Sequence, residues 1–435
     1  MDGGINEDVS TAPEIEIGSG LAMQSTAGQG MTTGLTLLFG LSVGVLVMCL
    51  SATQSIVGEI GPALGLSTAA SSLVTTVILL GYAAGLFLLV PLVDVVENRR
   101  LTLGTLSLCV AALAASALAP NAVVFLVLCF AVGTTSTAVQ MLVPTAAFLT
   151  PEAARGRVVG NIMSGIMLGL LLARPIAAVV TEFFGWRAYF ALSALLVAGI
   201  ALALARVLPE RRPAAGPRYG ALIFSLYELV RDEPVLRRRA LYQALLMGSF
   251  SVFWTAIALR LGAAPFNLGH NGIALFSLAG AAGAVVAPMA GRAGDRGHTT
   301  LVTFLGHFTV IAAMVLAGIA GGASWAFGIE LPPALSLGLL VATALLLDAG
   351  SIADQALGRR AINLLRPEAR GRVNGLFTGI FFLGASAGAL CAGPAWAWGG
   401  WAAVCWVGLA FAAAAFLLHL MERTTLRRPR VLRQG

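Results

Sequence analysis

Residues 155–190 read RGRVVGNIMSGIMLGLLLARPIAAVVTEFFGWRAYF, and residues 370–405 read RGRVNGLFTGIFFLGASAGALCAGPAWAWGGWAAVC. The two stretches lie 215 positions apart and align without a gap. Arg155, Gly156, Arg157, Val158, Gly160, Gly169, Gly185 and Trp186 fall on Arg370, Gly371, Arg372, Val373, Gly375, Gly384, Gly400 and Trp401. Each copy has an Arg-Gly-Arg loop, an apolar run of about membrane-spanning length, and a Gly-Trp corner. An internal repeat of this size means that half of the chain is a duplicate of the other half.

Composition sets the solvent. Of 435 residues, 58% are hydrophobic and 11% are charged, with mean hydropathy +0.89. Soluble domains carry roughly 25% charged residues. Apolar runs at about 33–56, 70–93, 101–119, 122–149, 157–181, 188–208, 240–262, 271–291, 300–320, 333–356, 373–396 and 400–420 are each long enough to cross a hydrocarbon core as a helix. The expected fold is an all-α membrane protein with twelve transmembrane helices in two pseudo-symmetric halves of six. The expected organisation is an acidic tail at 1–30, an N-terminal half at 31–208, a linker at 209–239, a C-terminal half at 240–422 and a basic tail at 423–435.

All 27 basic residues are arginine. A Walker A phosphate loop needs a lysine on the nucleotide phosphates, so ATP bound to this chain is not the expected energy source. The net charge of +7 is explained by topology, and no nucleic-acid partner is expected. All arginines except Arg174, Arg187 and Arg260 fall on one side of the twelve runs. Cytoplasmic loops collect positive charge, which places both termini in the cytoplasm and the protein in a bacterial inner membrane. Residues 1–30 carry five carboxylates and no base, unlike a signal peptide. In the linker, Leu222, Leu226, Leu229 and Val230 recur at helical spacing, the pattern of an amphipathic helix on a membrane face. A strap between the halves is the main reading; lipid binding is the other.

Cys49, Cys109, Cys129, Cys391 and Cys405 sit in apolar runs without CxxC spacing, so neither a metal site nor a disulfide framework is expected. There is no HExxH and no GxSxG with partners. The chain is expected to be no enzyme, to use no cofactor, and to act as a monomer in the lipid bilayer. Gly165/Gly169, Gly280 to Gly283 and Gly384/Gly388 stand about a turn apart. Small residues at that spacing let helices approach closely, and these runs are candidates for a moving contact between halves.

Twelve spans in two related halves around a basic central loop resemble the major facilitator superfamily of secondary transporters over residues 30–422. That family has a glycine, an aspartate four residues on and a basic cluster after its second helix. VPLVDVVENRRL retains Asp94, Arg99 and Arg100, with Val90 and Glu97 in place of glycines. In the second half GRAGDRGH supplies Gly291, Asp295 and Arg296. The resemblance implies that these residues gate the inner face; plain topological anchoring is the alternative. The RGRVVG and GWRAYF stretches resemble the bacterial drug and metabolite efflux branch. That branch often has an arginine early in helix four, where Phe130 stands here, and a Gly-Pro signature in helix five, which is absent. Both departures weigh against proton antiport.

Ionisable groups within spans cost about 2.5–3.5 kcal/mol and are functional candidates by default. Arg174 breaks the repeat, since 215 positions on stands Ala389. It can bind an anion, hold a carboxylate that exchanges a proton, or snorkel outward. Asp348 in LLLDAGSIADQ is the candidate proton carrier, because burial disfavours the charged carboxyl. Counted along their helices, the two differ in depth by about 12 Å, which argues against a permanent bridge and leaves Arg174 nearer Glu59 and Glu182. Asp354 is expected to be solvated, and His307 to be a packed polar residue. By family architecture Gln54, Thr134, Ser136, Gln140, Trp254 and Thr255 line the cavity. The functional expectation is a secondary transporter of a small molecule, with protons as partner in export. Alternatives are uptake of a metabolite such as an organic anion, and a transporter-like sensor without flux.

Overall fold

The computed structural model describes residues 31–210, 218–281, 283–322, 331–366 and 369–426. The acidic tail, Arg211-Arg212-Pro213, Gly216-Pro217, and the basic tail beyond residue 426 lie outside them. The first half runs α1 (Thr33–Ser51), α2 (Thr53–Ala63), α3 (Thr68–Ser71), α4 (Leu73–Leu88), a 3₁₀ turn (Val90–Asp94), α5 (Asn98–Ala117), α6 (Ala122–Ser136), α7 (Val139–Phe148), α8 (Glu152–Phe184) and α9 (Trp186–Val207). After α10 (Tyr219–Asp232) come α11 (Pro234–Gly262), α12 (His270–Ser277), a 3₁₀ turn (Leu278–Ala281), α13 (Gly283–Asp295), α14 (Thr299–Ala320), α15 (Pro333–Asn363) and α16 (Arg370–Leu426).

Ten of these stretches are long and apolar enough to cross a membrane. Twelve spans are recovered because α16 holds two of them, divided by non-helical backbone at Gly399 and Gly400, and because span 8 is broken into α12, a 3₁₀ turn and α13. Spans 1 and 2 are α1–α2 and α3–α4; span 3 is α5, span 4 is α6–α7, and spans 5 and 6 are α8 and α9. Spans 7, 9 and 10 are α11, α14 and α15.

The repeat is visible in backbone chemistry. Gly185 and Gly400 both have positive φ, at 80° and 57°, a region that glycine enters without the Cβ penalty. Each lets the chain turn into the next span. Trp186 then packs edge-on against Phe125 and Phe190, and Trp401 donates to Ala317 O at 2.8 Å. Gly169 and Gly384 are repeat mates as well. A Cβ on Gly169 would collide with the Gly44 backbone of α1, and one on Gly384 with the Ala244 backbone of α11. Both glycines therefore seat a span against the first span of its own half. Gly165/Gly169 and Gly384/Gly388 thus pack their spans inside each half, as small residues do in lipid, while runs 5, 8 and 11 touch the other half through other residues.

The halves meet chiefly along two pairs of spans, with a smaller contact between α2 and α11. Span 2 lies against the first part of α16 over its whole length, from Ala69 and Ser72 beside Gly393, through Ser386 Oγ on Thr76 O (3.2 Å), to Phe87 beside Gly379. Spans 5 and 8 behave differently. α12 and its 3₁₀ turn pack on α8, whereas α13 packs on α15 and α14. The halves thus part on that side toward the arginine-rich end. α10 buries Leu222, Leu226 and Leu229, packs on α11 and α16, and donates Tyr219 Oη to Leu88 O (2.9 Å). It ties one half to the other.

Candidate functional site between the halves

Two local departures from α-helix frame the site. In span 1, Ser55 N–H bonds Ala52 O three residues back at 3.1 Å, a 3₁₀-type turn directly beside Gln54. In span 8 the 3₁₀ turn contains Gly280. Interrupted helices near mid-span supply the polar groups of many transporter sites.

Arg174 enters from α8 and is only 5% exposed. Its Nη2 donates to Gln54 Oε1 at 2.8 Å, and its guanidinium carbon lies 4.0 Å from the centre of the Trp254 ring. Gln54 belongs to the first half and Trp254 to the second, so one arginine touches both. The side chain is turned into the protein, which excludes the snorkelling reading. Ser55 Oγ reaches Arg174 O at 3.3 Å and so ties α2 to α8 at this level.

Asp348 reaches the same place from α15, also 5% exposed. A Cβ on Gly280 would lie 3.2 Å from Trp254 Cζ2, 3.4 Å from Arg174 Nη1 and 3.4 Å from Asp348 Oδ2. Arg174 Nη1 and Asp348 Oδ2 are therefore at most about 7 Å apart. The expectation that a 12 Å difference in depth keeps the two groups apart is corrected: the long arginine side chain brings its guanidinium to within about 7 Å of the carboxyl group. Arg174 Nε, Trp254 Nε1 and Asp348 Oδ1 are buried without a hydrogen-bond partner among the described residues. At an effective dielectric near 20, opposite charges at this distance attract by about 2–4 kcal/mol. The site is a buried guanidinium and a buried carboxyl group, one from each half, with polar atoms left unsatisfied among the described residues.

The other expected lining residues lie elsewhere. Gln140 Nε2 donates to Tyr82 Oη at 3.3 Å, and Tyr82 packs against Phe382 of α16 with centroids 4.5 Å apart. Thr255 lines a separate crevice with Val57, Thr68, Ser72 and Gly393. The Thr134 and Ser136 hydroxyls bond carbonyls of their own helix. Glu182 accepts from Asn271 at 3.4 Å and does not join Arg174. Asp354, expected to be solvated, is 0% exposed and lies 3.5 Å from Arg239 and 3.4 Å from His307. The His270 side chain lies outside what is described.

The residues expected to gate the inner face make contacts within their own halves. Arg99 donates to Ala205 O at 2.6 Å and pairs with Glu210 at 3.5 Å. Arg100 is exposed beside Glu97, at 3.8 Å. Asp94 is exposed. Asp295 binds Arg360 Nε at 2.8 Å, joining α13 to α15, and Arg296 lies one residue past α13. Glu97, which replaces a family glycine, caps α5 by accepting from the Arg99 and Arg100 N–H groups at 2.7 and 2.9 Å.

Sequence reasoning missed Gly280 as a site residue, since a glycine among many in apolar runs carries no sign of what its missing side chain leaves room for. It also missed Tyr82, whose only mark was a hydroxyl in an apolar stretch.

Known proteins place this geometry in context. The family model of the Major Facilitator Superfamily matches residues 35–345. The chain is 35% identical over 388 residues to the uncharacterized transporter YgaY of Escherichia coli O157:H7, covering 89% of this chain and 95% of the relative. It is 32% identical over 409 residues to SCO4007 of Streptomyces coelicolor, named as a transporter, covering 91% of each. Among solved structures, it resembles a bacterial homolog of the human lysosomal transporter Spinster in an inward-facing, unoccupied conformation. The TM-score is 0.66 at 15% identity, covering 90% of this chain and 97% of that one. It also resembles a mutant of the nucleoside transporter NupG, with TM-score 0.68 at 12% identity, covering 90% and 100%. At those identities the likeness is one of fold.

Proposed function

This chain belongs to the Major Facilitator Superfamily, and from that premise we propose that it exports a small organic molecule across a bacterial inner membrane, exchanging it for protons bound at Asp348. The arginine-rich end is cytoplasmic in this reading, and the arrangement described above is closed at the opposite, Gly-Trp end. One observation carries the proposal: Arg174 of one half and Asp348 of the other flank Gly280, both buried.

The physics of coupling follows from that pair. With Asp348 ionised, each charge partly compensates the other across the interface. A proton on Asp348 removes the compensation and leaves Arg174 buried alone. An uncompensated buried ion costs several kcal/mol, so protonation favours any rearrangement that brings Arg174 to water or to an anionic group. Binding of the proton is in this way converted into relative motion of the halves. Asp94, Arg99, Arg100, Asp295 and Arg296 anchor the cytoplasmic ends of their spans while this happens, and Gln54 and Trp254 hold the guanidinium in place.

Flux in proteoliposomes under an imposed pH gradient tests the reading. The wild type is expected to drive substrate against the proton gradient, and Asp348→Asn is expected to lose the dependence on that gradient by more than tenfold. Gradient-independent flux in the wild type, or an Asp348→Asn profile that superposes on it, would refute proton exchange at this residue.

A further inference from the structure

A second set of buried titratable groups lies in the C-terminal half, and the exchange mechanism at Asp348 does not use it. Asp354 sits six residues beyond Asp348 on α15, about 9 Å along the helix. Both of its carboxylate oxygens are buried without a hydrogen bond to a described residue, as are both nitrogens of His307. His307 Nε2 nonetheless stands 3.4 Å from Asp354 Oδ1, near enough for a small ring rotation to close a hydrogen bond.

The charged neighbours come from every element packed around this point. From α11, Arg239 Nη1 is 3.5 Å from the same Oδ1 and donates to Thr303 at 2.9 Å. From α14 comes His307 itself. From α16, His419 and Glu422 approach through Tyr242: the Tyr242, His307 and His419 rings lie 5.3–6.0 Å apart, centre to centre. Tyr242 Oη donates to Glu422 Oε2 at 2.6 Å, and Glu422 pairs with Arg238 at 2.9 Å. Asp295 of α13 is turned to Arg360 instead. With both histidines neutral, the charges of Arg238, Arg239, Asp354 and Glu422 cancel. The Glu422 side chain is 22% exposed, so the cluster reaches solvent at the arginine-rich end, while the imidazole–carboxylate pair at its other edge is fully buried. Imidazole is the side chain whose ordinary titration falls between pH 5 and 8.

We propose that His307 and Asp354 bind one proton as a pair, exchanging it with the arginine-rich face. The transporter then carries two protonatable sites on one helix, this one inside the C-terminal half and Asp348 at the interface between halves. The pair stands whether or not Asp348 carries the exchanged proton.

The chain has four histidines, which makes the test direct. Full-length protein labelled with isotopic histidine is purified in detergent, and the His307 imidazole signals are identified by their loss in His307→Gln. Between about pH 5 and 9 they are expected to titrate with a single midpoint, and Asp354→Asn is expected to move that midpoint by about one pH unit or more. If that variant does not fold, Asp354→Glu, which shifts the carboxylate by one methylene, is expected to move it as well. Signals that stay constant over the range, or a midpoint indifferent to the change at residue 354, overturn the proposal. The titration is expected to persist in Asp348→Asn; its disappearance there would assign the proton to the interface site and overturn the second one.

Discussion

Arg174 is held by two unlike contacts, a 2.8 Å hydrogen bond to Gln54 and a stack on Trp254. Lysine keeps the charge but lacks the planar fork that makes both contacts at once. Arg174→Lys is expected to lower flux about thirtyfold, the effect of losing a desolvated cation–π contact worth roughly 2 kcal/mol. Arg174→Ala is expected to abolish flux, and wild-type rates in liposomes with the alanine variant would remove the residue from the mechanism. Glu97 marks a second point where one side chain replaces a family habit. It accepts two N–H groups that would otherwise be unsatisfied at the start of α5. Glu97→Ala is expected to cost about 1 kcal/mol of stability, read as a small fall in melting temperature with flux unchanged. A loss of flux at unchanged melting temperature would mean that Glu97 acts in gating and not as a cap.

Within an element, position decides the sign of a substitution. On α8, Gly169 faces the backbone of α1 so closely that a methyl group has no room, whereas a Cβ on Gly160 meets nothing within 4 Å. Gly169→Ala is expected to destabilise by about 1–3 kcal/mol through overpacking. Gly160→Ala is expected to stabilise by a few tenths to about 1 kcal/mol, because alanine is the better helix former. Thermal melting of the two variants side by side checks the pair; equal shifts would show that α8 does not seat on α1 as described. The element scale also shows how sequence and structure divide. The Arg-Gly-Arg and Gly-Trp motifs announced where spans begin and end, and the positive φ of Gly185 and Gly400 is the reason for the second motif. The pairing of Gly169 with Gly44 was not legible, since nothing in a glycine's own sequence states which neighbour it faces. Asp354 was misjudged for the same reason: distance along α15 was taken as approach to solvent, while rotation about the helix turned it toward His307.

For the whole molecule, the side on which spans 5 and 8 lie defines the motion to be expected. They touch through α12 and Glu182–Asn271 at the Gly-Trp end and part toward the arginine-rich end. In the proposed exchange cycle, rocking about the central pair opens the α12–α8 contact and closes the gap at the arginine-rich end. Glu182→Cys with Asn271→Cys, joined by a short bismaleimide, is expected to hold the molecule in this state and reduce flux more than tenfold. Unaltered flux in the crosslinked protein would show that this contact does not open during transport. Span 2 against α16 and the α10 strap keep the halves together while the other side moves.

Hydropathy, arginine placement and the 215-residue repeat by themselves determined a twelve-span protein in two halves, and they singled out Arg174 and Asp348. Those properties belong to each segment alone, because a helix in lipid must satisfy its own backbone and match the membrane's thickness. Only the tertiary structure decided that Arg174 and Asp348 share one site across the interface, that Gln54 and Trp254 hold the guanidinium, and that Gly280 leaves the space between the charges. Such convergence depends on how each helix is rotated and how the two halves dock. Both are set by side-chain packing among segments far apart in the chain, which no local pattern records.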